Sequence, residues 1–213
     1  MTLRAHLDEI FEADRRARAL EARLLAEGAP EALSDLVAVA AAEALALDDE
    51  EEAELRLMRL ADLAAQVPGP AMVDTLIAIL GHASPKVRAE AGEALRDVAY
   101  ERFKEVARAI ERALDRGEGG LAMQELPFVL VEVHDPDPVP LMARFLGHPD
   151  PNVVGAAIEA LADHGDPSAA PHLARLVDDP REAELEDLDE ASAPIGDLAR
   201  AALEELGEDG DAR

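Results

Sequence analysis

Two stretches of similar design decide how this chain folds: residues 76–95 read LIAILGHASPKVRAEAGEAL, and residues 141–161 read LMARFLGHPDPNVVGAAIEAL. In each, an apolar segment ends at a glycine, Gly81 or Gly147, and a short turn with His and Pro leads into a second apolar segment. A glycine after one helix and a proline at the start of the next are common stop and start signals. Each stretch therefore predicts two helices joined by a tight turn.

The second helix of this hairpin recurs along the chain. Apolar residues at relative positions 0, 4, 7, 8 and 11 form one stripe, and such stripes begin at Ala53, Val87, Ala122, Val153 and Ile195. The spacing is that of one buried helix face, although His164 takes the last place of the fourth stripe. A hairpin of this size cannot bury its apolar face alone, so neighbouring pairs must stack. We predict an all-α solenoid of about five antiparallel helix pairs.

The predicted organisation is one domain that spans residues 1–213. An N-terminal helix at 3–27 is expected to cap the stack. An acidic insertion at 178–191 is expected to form a solvated loop, and residues 207–213 are expected to be a disordered tail. The five predicted helix pairs are 30–66, 70–99, 101–134, 139–164 and 168–206.

The pattern of helix, glycine, turn with proline, then Val-Arg and Ala-x-x-Ala-Leu resembles the HEAT repeats, in particular the short bacterial kind. It is clearest at Pro85, Val87, Arg88, Ala91, Ala94 and Leu95. The resemblance implies a superhelical scaffold that holds proteins or peptides along its concave side. In the fourth unit Val153 and Val154 replace Val-Arg, which departs from the family pattern.

Some HEAT-like proteins are enzymes, among them bilin lyases and DNA-repair glycosylases. The glycosylase type is excluded, because it needs a basic groove with aromatic side chains and this chain has neither. The lyase type stays open as an alternative.

The balance of charge limits the class of partner. The chain carries 47 Asp and Glu against 20 Lys and Arg, a formal net charge of -27, which would repel phosphate backbones. We expect no nucleic-acid partner, and a basic or amphipathic protein segment suits this surface better. The same acidity would also serve solubility or adaptation to high salt.

Cysteine is absent, so the chain has no disulfide framework and no thiolate chemistry, which fits a reducing compartment. Charge begins at the fourth residue, and the longest apolar run, Leu36 to Ala42, ends at Glu43. This run is far shorter than a membrane span. We expect a cytoplasmic protein without a membrane segment.

Positions 2, 6 and 9 of each second helix point away from the buried stripe and should line a groove. The strip runs from mixed charge, through an apolar centre at Phe128 and Val131, to an acidic end. Alternatively, Pro127 kinks the third helix and these two side chains complete the core. The residues predicted to bind a partner are Leu55, Arg59, Arg96, Gln124, Phe128, Val131, Glu159 and Glu204.

Few residues offer catalytic or metal chemistry. His82 and His148 occupy equivalent turns two units apart, too far to share one metal ion, and are predicted to be turn residues. His134 and His164 end second helices of adjacent units and lie beside Asp135, Asp137, Asp163 and Asp166. The two histidines with Asp135 and Asp166 offer an edge site for a divalent cation. The alternative is that these residues only interact with helix ends and start turns.

Taken together, these patterns predict a non-catalytic scaffold without a cofactor that binds a basic or amphipathic protein segment along its groove. Two alternatives stay open. One is an acidic inhibitor or immunity-type protein that covers the basic site of a toxin or nucleic-acid enzyme. The other is a lyase-like or metal-dependent activity at the edge formed by His134 and His164.

Overall fold

The computed structural model describes residues 2–184 and 192–211 of the chain. Helices dominate, which confirms the predicted all-α class. The helices are α1 (Leu3–Glu27), α2 (Pro30–Leu45), α3 (Glu50–Gln66), α4 (Pro70–Leu80), α5 (Pro85–Arg116), α6 (Leu121–Val129), α7 (Val139–Phe145), α8 (Pro151–His164), α9 (Ala170–Leu173) and α10 (Ile195–Asp211). A 3₁₀ turn at Pro167–Ala169 precedes α9, and two short strands, β1 (Glu182–Glu184) and β2 (Ser192–Pro194), precede α10.

The helices stack as a solenoid. The second helices of the pairs pack side by side in chain order: α3 on α5, α5 on α6, α6 on α8, and α8 on α10. We call this row the second-helix layer. The first helices pack on the other side, where α2 contacts α4 and α7 contacts both α5 and α8.

The predicted stripes form the core of the second-helix layer. Ala61, Leu95, Leu126, Leu161 and Ile195, one from each unit, have no exposed surface. Many stripe positions are alanine, which lets neighbouring helices approach closely. The larger stripe residues supply most of the stabilisation, about 1.5–3 kcal/mol for each fully buried aliphatic side chain.

The N-terminal helix differs from the predicted cap, because none of its residues is buried. Its C-terminal half contacts the body through Leu25, which packs against the core, and through an ion pair of 3.7 Å between Glu21 and Arg59. Most side chains of its N-terminal half are exposed, and Leu3 is 88% exposed. α1 therefore covers little of the end of the stack.

Two helices depart from the predicted bounds. The predicted break between the second and third units is a kink inside α5, where Arg102 has a φ of -137° and a ψ of 45°. Arg102 there donates to the carbonyl of Ala65 at 2.7 Å and anchors the kink to the end of α3. Pro127 lies near the end of α6, which stops at Val129, so the proline helps to end this helix and does not kink its middle.

The acidic insertion is more ordered at its ends than predicted. β1 and β2 form an antiparallel hairpin in which Ala183 faces Ala193, and Ala183 is only 2% exposed. The central residues 185–191 lie outside the described part of the chain. At the C-terminus, α10 continues to Asp211, into the segment predicted to be a disordered tail, and residues 212–213 again lie outside the described residues.

Arginines join successive units on both layers. Arg88 donates to Glu125 at 3.0 Å across the second-helix layer, and Arg112 donates to Asp74 at 2.7 Å between first-layer segments. In the fourth unit the equivalent of Arg88 is Val154, which is fully buried. The link between repeats is therefore made by different pairs in different units.

Candidate functional site

The residues predicted to bind a partner all belong to the second-helix layer or directly follow one of its helices. Leu55, Arg59 and Arg96 are exposed on α3 and α5, and Leu55 is 62% exposed. Glu159 on α8 and Glu204 on α10 are also exposed. The strip is thus accessible at both ends, and its role in binding stays a prediction.

The apolar centre of the strip is half-buried. Phe128 on α6 and Val131, just after α6, pack against the core with part of each side chain accessible, and Gln124 on the preceding turn is half-buried too. The two sequence interpretations of Phe128, groove anchor and core residue, therefore each describe part of its surface.

The acidic hairpin occupies one position of the predicted groove. Gly155 on α8 was expected to face the groove, but a Cβ built there would lie 3.0 Å from the Cβ of Ala183 on β1. The amide of Glu184 donates to the Asn152 side chain at 2.9 Å, which fixes the hairpin on α8. The open strip is therefore shorter at α8 than the periodicity predicts.

An arginine holds the start of this hairpin in place. Arg181 donates to both carboxylate oxygens of Asp179 and to the carbonyl of His148 at 2.9 Å. The hydrogen bond from the Arg181 side chain is the main cause that holds the pKa of Asp179 below its ordinary value. The hairpin is thus linked to the turn before α8.

Three carboxyl groups meet between α3 and α5, and we call them the carboxylate cluster: Asp62, Glu90 and Glu93. Burial raises the pKa of Glu90 above its ordinary value, and a hydrogen bond and charge repulsion from Asp62 raise it further, with a smaller contribution from Glu93. Arg59, whose guanidinium lies 3.9 Å from Asp62, offsets this only in part. The cluster is a local excess of negative charge on the second-helix layer.

Sequence reasoning did not single out this cluster. Asp62 and Glu93 fall at groove positions of adjacent units, which was a usable signal. Whether two such positions meet depends on how far α3 slides along α5, and Glu90 lies on the flank of its helix. The periodicity of one helix predicts neither how neighbouring helices slide along each other nor which flank residues come close.

At the edge of the stack the structure brings two histidines together. The rings of His134 and His164 lie 5.3 Å apart between centroids. The Nδ1 atom of His164 lies 2.7 Å from the backbone carbonyl oxygen of Val131. The Nδ1 atom of His134 lies 2.8 Å from the backbone carbonyl oxygen of Glu132.

Carboxylates accompany these rings, but not the pair predicted. Ligand atoms of Asp137, His164 and Asp166 lie within 4.8 Å of one another. Asp135 and His134, which belonged to the predicted edge site, are exposed and are not part of this group. Asp137, which the sequence placed beside these histidines but outside the predicted site, is part of it.

The other pair of histidines are turn residues, as predicted. His82 accepts at Nδ1 from the amide of Ser84 at 3.1 Å, and His148 accepts in the same way from the amide of Asp150 at 3.1 Å. Their equivalent positions in two repeats thus reflect one shared turn geometry.

A cavity of about 220 Å³ lies between Asp74, Arg116 and Glu118, below the roughly 300–1,000 Å³ typical of small-molecule sites. Across residues 2–184 and 192–211, no helix combines the length and the apolar character that a membrane crossing requires.

Comparison with known proteins supports the repeat assignment. Residues 120–193 match the family model of HEAT repeats. No curated protein matches the chain in sequence. Two solved engineered proteins, Northeast Structural Genomics Consortium targets OR366 and OR329, are each 20% identical to it, with TM-scores of 0.36 and 0.33. The matches cover 86% and 93% of this chain and 88% and 92% of those proteins.

A designed armadillo repeat protein, YIII(Dq)4CqI, is 16% identical over 82% of this chain and 99% of its own, with a TM-score of 0.28. TM-scores this low carry no argument about architecture or function. The family match covers the second helix of the third unit, the whole of the fourth unit, and the fifth unit up to the start of α10. Residues 120–193 thus resemble HEAT repeats, as the sequence pattern predicted, and the chain is folded as an α-solenoid.

Proposed function

We propose that this chain is a non-catalytic scaffold that binds a basic or amphipathic segment of another protein along its second-helix layer. HEAT-like solenoids typically serve protein interaction, because their stacked helices present one long, continuous face. The observation that carries the proposal for this chain is the carboxylate cluster, Asp62, Glu90 and Glu93, on that face.

The cluster favours a cation because its own charges repel one another. The raised pKa of Glu90 means that its charged form is disfavoured where it stands. A Lys or Arg of a partner placed beside it would stabilise the charged form and relieve the repulsion. Such complementarity mainly sets association rate and partner choice.

The half-buried apolar centre supplies the second element of recognition. Phe128 keeps an accessible part of its ring while the rest packs on the core, so it is already held in one orientation. A preorganised aromatic side chain is a common binding hot spot, and its truncation typically costs about 2 kcal/mol or more of binding free energy. The two features together suit a segment with one apolar anchor and flanking basic residues.

Selection from a displayed library of random peptides tests this proposal. Selected peptides should contain Lys or Arg around an apolar residue, and their affinity, measured by fluorescence anisotropy, should fall about tenfold or more for Phe128→Ala. Glu93→Arg should weaken binding most at low salt. Glu43→Arg, the same charge reversal on the exposed side of α2, is the matched control and should leave affinity unchanged.

Two results would contradict the proposal. One is a set of selected peptides without basic residues. The other is equal affinity for the wild type, Phe128→Ala and Glu93→Arg, which would place binding on another surface.

A further inference from the structure

Two neighbouring loops bring metal-binding side chains together at one edge of the solenoid. Asp137 lies before α7, while His164 and Asp166 end and follow α8, and one ligand atom of each lies within 4.8 Å of the others. Around a tetrahedral zinc ion, ligand atoms lie about 3.4 Å apart. The three side chains must therefore move about an ångström closer together to bind one ion. Loop side chains make such shifts by small rotations.

The tautomer of each histidine suits a metal ligand. A carbonyl oxygen only accepts, so the short contact to Val131 means that Nδ1 of His164 carries the proton, and a neutral ring then keeps its lone pair on Nε2. The contact to Glu132 sets His134 in the same way. A ring that donates one N–H to a carbonyl and offers its other nitrogen is the usual arrangement of a metal-ligating histidine.

We propose that Asp137, His164 and Asp166 form a zinc site. His134 stands outside this group, but its ring centroid lies 5.3 Å from that of His164, and a side-chain rotation would make it the fourth donor. Imidazole nitrogens with carboxylate oxygens are a donor set that suits Zn²⁺, whereas Mg²⁺ and Ca²⁺ prefer oxygen alone. The bound ion links the loop before α7 to the end of α8. It therefore fixes the third unit against the fourth and stabilises the fold at that junction.

Isothermal titration of the untagged chain with ZnCl₂ tests the site. The wild type should bind one Zn²⁺ per chain far more tightly than Mg²⁺, and saturating zinc should raise the melting temperature by several degrees. Asp137→Asn and His164→Asn should each weaken zinc binding by tenfold or more. Both keep a local hydrogen bond, since the Asn oxygen can still cap Val139 and the Asn amide can still reach Val131.

Asp150→Asn is the matched control, because Asp150 caps α8 in the same way but stands outside the group. It should bind zinc like the wild type. Three results would overturn the proposal: equal affinity for Zn²⁺ and Mg²⁺, an equal loss of zinc affinity in Asp150→Asn and Asp137→Asn, or no zinc binding at all. The first two results would mean that the ion is held by diffuse acidity.

A second inference rests on the first helix. The N-terminal half of α1 presents apolar side chains that do not belong to the core of the described chain; Leu3 is 88%, Leu7 42%, Ile10 63% and Phe11 49% exposed. The C-terminal half adds Leu20 at 61% and Leu24 at 37%. So much apolar surface along one helix is typical of an interface.

Charge along α1 indicates what covers this surface. Residues 3–14 hold Asp8, Glu9, Glu12 and Asp14 against Arg4 alone. Residues 15–27 hold Glu21 and Glu27 against Arg15, Arg16, Arg18 and Arg23. The helix is thus acidic in its first half and basic in its second, and it complements an antiparallel copy of itself.

We infer that two copies of this chain pair through antiparallel α1 helices. The apolar N-terminal half of each helix then lies on Leu20 and Leu24 of the other, and the acidic half of each lies on the basic half of the other. One two-fold axis satisfies both contacts, as expected for an isologous dimer.

Light scattering after size exclusion should give twice the chain mass of 22.7 kDa. Glu9→Arg with Glu12→Arg makes α1 basic throughout, and Arg16→Glu with Arg23→Glu makes it acidic throughout. Each double variant alone should be monomeric, and an equimolar mixture should recover the dimer. A monomeric wild type, or a mixture that stays monomeric, would overturn the arrangement.

Discussion

His148 joins two repeats through its side chain: its Nε2 lies 2.8 Å from the carbonyl oxygen of Glu118, while its Nδ1 accepts from the amide of Asp150. Because the carbonyl only accepts, Nε2 carries the proton and both ring nitrogens are satisfied in the neutral form. The side chain is 5% exposed and lies at the turn between α7 and α8. One imidazole therefore orders its own turn and ties it to the preceding unit.

Replacing this residue should cost more than replacing its counterpart. His148→Ala leaves the carbonyl of Glu118 and the amide of Asp150 without their partner in a buried place, so we expect a loss of about 2–3 kcal/mol in unfolding free energy. His82→Ala removes the equivalent turn contact at a half-buried site and should cost about 1 kcal/mol or less. Urea denaturation measures both, and equal losses would contradict the link between units.

The hairpin before α10 should contribute to stability. Ala183→Asp places a charge against Gly155 at a buried position, and we expect it to lower the unfolding free energy by about 2–4 kcal/mol. Ala201→Asp makes the same change on an exposed position of α10 and should cost about 0.5 kcal/mol. If the two variants have the same melting temperature, the hairpin does not pack on α8.

Glu90 should make the fold less stable as pH rises. A carboxyl whose pKa is raised in the folded state stabilises the fold below its ordinary value of 4.5, and this stabilisation is lost as pH rises through the folded value. Glu90→Gln should therefore raise the melting temperature at pH 7 by about 1–2 °C and should have no such advantage near pH 4. Thermal melts at both pH values measure this, and a destabilised variant at pH 7 would contradict the crowding of Asp62 and Glu93.

Gly196 permits the close approach of α10 to the end of the fifth unit's first segment. A Cβ there would lie 2.5 Å from the carbonyl oxygen of Val177, and the Gly196 amide donates to Asp179 at 3.0 Å. Gly196→Ala should cost about 2 kcal/mol or more, since backbone must move. Gly207→Ala, on the same helix and with no atom of the described residues within 4 Å of the added Cβ, should gain about 0.5–1 kcal/mol. Chemical denaturation measures the unfolding free energy of both variants and shows whether one loses and the other gains stability.

Much of the fold followed from spacing alone. The stripe of positions 0, 4, 7, 8 and 11 identified the core face of every second helix, because burial of one helix face requires that period whatever the neighbours are. Turn signals such as Gly81 with Pro85 also placed helix ends well, since they act through local backbone geometry.

The departures share one physical cause. The kink at Arg102, the hairpin on Gly155 and the exposed α1 each depend on contacts between segments distant in sequence. At the kink of α5 the Arg102 side chain donates to the carbonyl of Ala65, and β1 packs closely on Gly155 of α8. Local sequence patterns do not predict which distant segments come into contact.

The sequence by itself determined the helices, their buried faces, their order in the stack and the acidity of the surface, because these depend on residue type and on periodicity along one helix. Only the tertiary structure decided how closely the polar groups approach one another, as Asp62 approaches Glu90 and as His164 approaches Asp137 and Asp166. These approaches depend on the lateral register of neighbouring helices and on the paths of the loops between them. Both are set by the packing of the whole stack.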